Sequence, residues 1–245
     1  MFKTFSKSTT AAGLLAAVLC SPVLAAAQPD FSGAWSSYRG NTQAASAAPG
    51  QQLNAVAEAA IDDYQNVVGG TNYSPGNACV GSGMPASMLG SGGYPMEIVQ
   101  RPEQLFVIYE AHSEIRRFFI GDEAQNPADF FRERNGYSVS HWEDDHLIVE
   151  TSRLKTQVDS RYPHSNEATI VEDYYLDEPL EDGTRILVAE MTMTDPLWLE
   201  EPFSSTKMWQ QISDYHVLTY ECTEPKWLDE MEVLYDDAGL EMVQD

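Results

Sequence analysis

Residues 96–120 read MEIVQRPEQLFVIYEAHSEIRRFFI, and this stretch decides the fold. Its runs 96–100, 104–110 and 113–120 are rich in β-branched and aromatic residues and are broken at Arg101-Pro102 and Ala111-His112. Runs of this kind form strands, and breaks this short join antiparallel neighbours. If Ala111-His112 is the turn of the second hairpin, Glu110 pairs with Ser113 and Phe106 with Arg117. Adjacent residues of a strand face opposite ways, so Arg116 and Arg117 cannot both meet solvent. Arg117 shares its face with Phe106, Ile108, Ile115 and Phe119; Arg116 shares its own with Val107, Tyr109, Glu114 and Phe118. One arginine is therefore expected in an apolar interior, where it requires a carboxylate partner. Glu110 and Glu114 are the nearest in sequence.

The period-two pattern continues at 137–143, 146–152, 169–176, 185–194, 206–213 and 216–222, with turn chemistry at Asp144-Asp145, Asp182-Gly183 and Ser213-Asp214. Residues 28–36 (QPDFSGAWS) read as a first strand, and 37–52 and 69–94 as loops rich in small residues. Asn54 to Val67 carries Val56, Ala59, Ile61 and Tyr64 at helical spacing and predicts one short helix. Many short strands in tight succession form an antiparallel meander, and closure into a barrel removes its edges. The expected fold is all-β with one short helix, an antiparallel up-and-down barrel of the lipocalin or calycin kind. It occupies residues 28–245 as a single domain ending in an acidic tail, 223–245, with Trp227, Leu228 and Leu234 as its anchors.

Residues 1–27 read as an export signal. Lys3 and Lys7 precede the apolar run Ala11–Cys20, and Pro22 precedes the small-residue stretch Val23–Ala27. An apolar run of about ten residues is too short to span a bilayer, which needs about 20. Cleavage after Ala25 or Ala27 would deliver a periplasmic or secreted protein. The chain carries 38 acidic against 14 basic residues, a net charge of −24. Such a surface argues against nucleic acid and anionic lipid as partners, and no later stretch suggests membrane insertion. Lys155, Lys207 and Lys226 are the lysines beyond residue 27. This scarcity suits salty water, where charge is screened. Beyond the leader the cysteines are Cys79 and Cys222, and an isolated pair in an oxidising compartment is expected to form a disulfide. In the chain-entropy account, closing so long a loop contributes about 4–5 kcal/mol.

The inward arginine could anchor a ligand carboxylate or carbonyl, or could be a structural ion pair. Glu172 alternates with Ile170 and Tyr174, and Glu190 with Ile186 and Val188. A carboxylate on an apolar face is either tuned for general acid–base work or paired with the arginine. His112 beside Glu110, and His164 within YPHSNE, are candidate polar residues at a cavity mouth. The catalytic candidates are thus His112, Glu110, Glu172 and His164. The ligand-binding candidates are Arg117, Arg116, Tyr109, Glu190 and Trp142. His141 and His146 flank a turn rich in acids, and solvated decoration is a simpler account of them than a metal site. No metal or cofactor is expected. Gly81–Gly93 lacks the feeding strand and the Lys-Ser/Thr of a phosphate loop. Met191, Met193 and Met208 read as core.

Several segments together resemble a family of exported bacterial proteins of lipocalin-like architecture. They are PDFSGAW (29–35), Cys79 followed by Gly83-Met84-Pro85, residues 95–120, GYSVSHWEDDHLIVET (136–151), PHSNEATIVEDYY (163–175), Asp195-Pro196 and YEC (220–222). The resemblance spans nearly the whole chain after the leader. It implies a barrel and draws attention to Tyr109, Glu110, His112, Arg116, Arg117, Trp142, His164 and Glu172, but implies no reaction. The chain departs from the family's pattern at Thr169, where relatives often carry His, and at Asp144 and His146.

These residues support two readings. One is a barrel binding a small, partly apolar molecule in an internal cavity. The other is a cofactor-free lyase, isomerase or hydrolase, with a His or Glu base and an arginine stabilising negative charge.

Overall fold

The computed structural model describes residues 28–40, 50–90, 93–121 and 125–239. The proposed leader, 1–27, lies outside the described residues. Nine strands form one closed barrel: β1 Gly33–Tyr38, β2 Met96–Arg101, β3 Gln104–Tyr109, β4 Glu114–Ile120, β5 Tyr137–Glu143, β6 His146–Ser152, β7 Thr169–Asp177, β8 Ile186–Thr194 and β9 Phe203–Ile212. Helix α1 spans Ala55–Val68, the single turn α2 Ala86–Leu89, and α3 Thr223–Asp237.

The short hairpins pair as their turn lengths dictate. Phe106 faces Arg117 across β3 and β4, and Glu143 faces His146 across β5 and β6. The ring departs from a pure meander in one place. β4 and β5 run parallel, joined over only Phe118↔Ser138, Phe119↔Val139 and Ile120↔Ser140. A parallel pair cannot be joined by a tight turn. The connection between them, described over residues 125–136, therefore carries the chain back along the barrel before β5 begins.

Closure also differs from the expected order. β9 pairs with β8 on one side and with β1 on the other, from Ala34↔Ile212 to Tyr38↔Met208. No edge remains for a further strand, and 216–222, expected to be one, is irregular. This segment is instead tacked to the barrel by two acids. Glu97 accepts from Val217 N and pairs with His216 Nδ1, and Glu110 accepts from Tyr215 OH (2.7 Å) and Leu218 N (2.9 Å). Cys79 and Cys222 form the expected disulfide, their Cα atoms 5.6 Å apart.

Past the disulfide the acidic segment forms α3, none of whose residues is buried. Trp227, Leu228 and Leu234 are exposed there and do not anchor the segment. In α1, Asn54 caps the helix by accepting from Val56 N and Ala57 N. The stripe turned to the protein is centred on Ala57, Ile61 and Tyr64, and Val56 and Ala59 face solvent. No helix among the described residues is long and apolar enough to cross a membrane.

The barrel is filled. Trp35, Leu105, Phe118, Leu147, Ile170 and Met191 are among the side chains packed in its interior. Burying a side chain of this size contributes about 1.5–3 kcal/mol. Met84 and Met88, both fully buried, reach the same core from the segment 79–90. The Glu114 carboxylate holds that segment by accepting from Ser82 N, Gly83 N and Ser87 Oγ. Gly83 is required there: its φ is +70°, and a Cβ would lie 2.7 Å from the Arg134 carbonyl oxygen.

Candidate functional site

Of the two consecutive arginines of β4, Arg116 is the one inside. Its guanidinium clasps Glu172 of β7 with two bonds, Nη1 to Oε1 at 3.0 Å and Nη2 to Oε2 at 2.7 Å. Nη2 also donates to Thr151 Oγ1 and Ser138 Oγ, which face each other across β5 and β6. Tyr174 OH donates to Glu172 Oε1 at 2.8 Å. Arg116 and Glu172 are 2% and 0% exposed, so this is an ion pair out of contact with water. Glu110 and Glu114, the sequence neighbours expected to pair with the inward arginine, face other partners.

Burial alone would lower the Arg116 pKa, but Glu172, together with Tyr109 and Tyr174, more than reverses this and holds it well above its ordinary value. Burial pushes the Tyr109 hydroxyl up to about 12 and raises that of Tyr174, where Glu172 adds to the effect. Both phenols therefore remain neutral. The charge of the pair is balanced within the barrel, and only Arg116 Nε lacks a hydrogen-bond partner in this cluster, among the described residues.

The other candidates are scattered. Glu190 is exposed and accepts from Tyr175 OH at 3.2 Å, so it does not share the interior with Glu172. Its outward neighbours Ile186 and Val188 are buried as well, which is why the apolar run could not distinguish the two faces of β8. Trp142 is half-buried, with its ring 5.4 Å from that of Phe31. His112 sits in a 3-10 turn with φ +57°, its ring 4.8 Å from Tyr220 and its Nδ1 buried without a partner among the described residues.

His164 is fully buried. Its Nδ1 donates to Tyr162 O at 3.0 Å and its Nε2 accepts from Gln157 Nε2 at 3.3 Å. Burial lowers its pKa, which favours this neutral tautomer. Ser165 and Asp195 lie close by, yet the Ser165 hydroxyl donates to Asp195 and not to the imidazole, so the three do not form a nucleophilic triad. No hydrogen bond joins any two of Glu110, His112, His164 and Glu172 among the described residues. His141 pairs with Glu143, and His146 with Asp173 at 2.7 Å. Among the described residues no group of three or more His, Cys, Asp or Glu is placed to hold a metal ion.

A second region lies where the β4–β5 ladder is short. The returning segment leaves a cleft of about 520 Å³ beside the outer face of β4. Ile115, Arg117 and Phe119 line it from the strand; Asp129, Phe130, Phe131, Glu133 and Asn135 line it from the returning segment; Tyr137 lies at the junction. Phe130, Tyr137 and Phe119 stack in series, with centroids 4.1 and 5.1 Å apart. Three arginines fix the segment. Arg153 donates to Phe130 O, Arg132 to Leu154 O, and Arg134 to Gly81 O and Asp159.

The charges that face the cleft are left open. Arg117 lies over the Phe106 ring at 5.4 Å and has no ion-pair partner among the described residues; neither does Asp129 or Glu133. Asn135 Nδ2 donates to Glu114, and its buried Oδ1 has no partner among the described residues. Arg116, which also lines the cleft, and Arg117, Ile115 and Phe119 were legible as strand residues, but Asp129, Phe130, Phe131, Glu133 and Asn135 carry no strand period because they lie between β4 and β5. The available signal was FFRERNGY (130–137), which is too aromatic and too charged for a simple connection. In comparisons with known proteins, no family model matches the chain and no curated protein matches it at a significant level.

Proposed function

We propose that this is a periplasmic or secreted barrel that binds a small, partly apolar molecule in the cleft between β4 and the returning segment 125–136. The observation that carries the reading is the combination in one concavity of a stacked aromatic wall with an unpaired guanidinium. Ligand sites are of this size and type, about 300–1,000 Å³ and mostly apolar with a few polar groups. Arg117 is the anchor, and its stack on Phe106 holds the guanidinium in place without consuming its hydrogen bonds. Arg116 supports the site from behind, keeping β4 in place through Glu172.

The disulfide favours an oxidising compartment, and the resemblance to exported barrel proteins points the same way. An enzymatic role has less support, since the candidate bases Glu172, Glu110 and His164 do not line this cleft and are each engaged with other neighbours. The test is mass spectrometry of small molecules released from the purified protein, run in parallel on Arg117→Met. A ligand retained by the wild type and lost from the variant is the expected result. Equal retention by both would remove Arg117 as the anchor.

A further inference from the structure

The unpaired charges of the cleft have both signs, and the geometry points to a zwitterionic ligand: an amino acid or short peptide with an apolar or aromatic side chain. This inference rests on the cleft being the binding site and names the class of molecule it would take.

Arg116, Arg132 and Arg134 are ion-paired, with Glu172, Glu167 and Asp159. Arg117 is not, although two carboxylates, Asp129 and Glu133, line the same cleft. The three charges thus line one cleft without pairing with one another.

A simple carboxylate would satisfy Arg117 while meeting repulsion from Asp129 and Glu133. A simple amine would satisfy the acids and be repelled by Arg117. A molecule bearing both groups pairs with both sides, and like-charge repulsion discriminates against the singly charged analogues. The wall of Phe119, Tyr137 and Phe130 then receives an apolar side chain, and Phe131, 91% exposed, stands at the cleft and can be covered by it. A volume of about 520 Å³ has room for a dipeptide as well as a single amino acid.

The experiment uses the full chain and the neutral fluorescent dye N-phenyl-1-naphthylamine as a reporter of the aromatic wall. L-phenylalanine, the dipeptide Phe-Phe, 3-phenylpropionate and phenethylamine are each titrated as displacers at low salt. Either zwitterion is expected to displace the dye at a concentration about tenfold or more below both singly charged analogues. Arg117→Met should lower zwitterion affinity to the level of phenethylamine, and Asp129→Asn with Glu133→Gln to that of 3-phenylpropionate, with dye binding retained in both. Equal displacement by 3-phenylpropionate or phenethylamine, or no displacement by either zwitterion, overturns the ligand class while the cleft stands. Ile115→Trp, at a half-exposed position, fills the cleft without touching the core. Dye binding that persists in this variant, or fails in the wild type, overturns the cleft reading and the ligand class together.

Discussion

Arg116 and Arg117 are consecutive on β4 but sit in two different media. Arg116 lies in a water-free interior, where two bonds to Glu172 and contacts to Ser138 and Thr151 surround its charge. Arg117 lies on the outer wall, over Phe106, with no acid paired to it among the described residues. Desolvating a charge costs several kcal/mol, so a buried ion must be fully partnered and is then committed to the fold. An exposed ion is under no such demand, and its free valences are available to a ligand. In this barrel the polar network that looks most like an active site is the one whose charges are already paired, and the open charge is one residue away on the other face.

The largest effect should come from breaking the interior pair. Arg116→Met leaves Glu172 buried without its cation and is expected to destabilise the protein by about 3–5 kcal/mol in urea unfolding. Adding Glu172→Leu should recover most of that loss, because an apolar pair of similar volume avoids the desolvation cost. A single-variant loss below about 1 kcal/mol would contradict the account of Arg116 as a fully desolvated ion.

A smaller effect is expected from pH. The folded-state pKa of His164 is lowered by burial, so the unfolded chain binds the proton more readily. The stability contributed by the neutral ring is complete above the unfolded value of about 6.5 and declines as pH falls through and below it. Unfolding midpoints between about pH 7 and pH 5 should show this decline. His164→Gln should flatten the slope; a slope unchanged in the variant would assign it to other groups.

The smallest effect on stability belongs to Arg117. Arg117→Met should shift unfolding by no more than about 0.5 kcal/mol, as surface substitutions usually do. Loss of ligand retention without loss of stability would sharpen the contrast with Arg116. A large destabilisation would erase it, because Arg117 would then also be structural.

Much of the barrel was legible before any coordinates. The alternation in β2–β9 marked the strands, and the turn lengths set the registers of Phe106 with Arg117 and of Glu143 with His146. The lone cysteine pair identified the disulfide. These features are local, or follow from there being no other partner to choose. The alternation also said that one of two adjacent arginines must be inside, but not which one, because both faces of β4 carry apolar residues. The same ambiguity misassigned Glu190, since β8 is buried on both faces along its first half. Residues 216–222 have the pattern of a strand, and what excluded them was the pairing of β9 with β1, more than 160 residues distant in sequence.

By itself, then, the sequence determined that the chain would make short paired strands, that a charge would be buried among them, and that Cys79 and Cys222 would meet. Only the tertiary structure decided that Glu172 would be the carboxylate opposite Arg116, that β5 would run parallel to β4, and that a cleft would open at their short junction. The physical reason is range. Side-chain period and turn chemistry act over a few residues, whereas the choice of which face turns inward and which strands become neighbours is settled by burying the whole set of apolar faces at once.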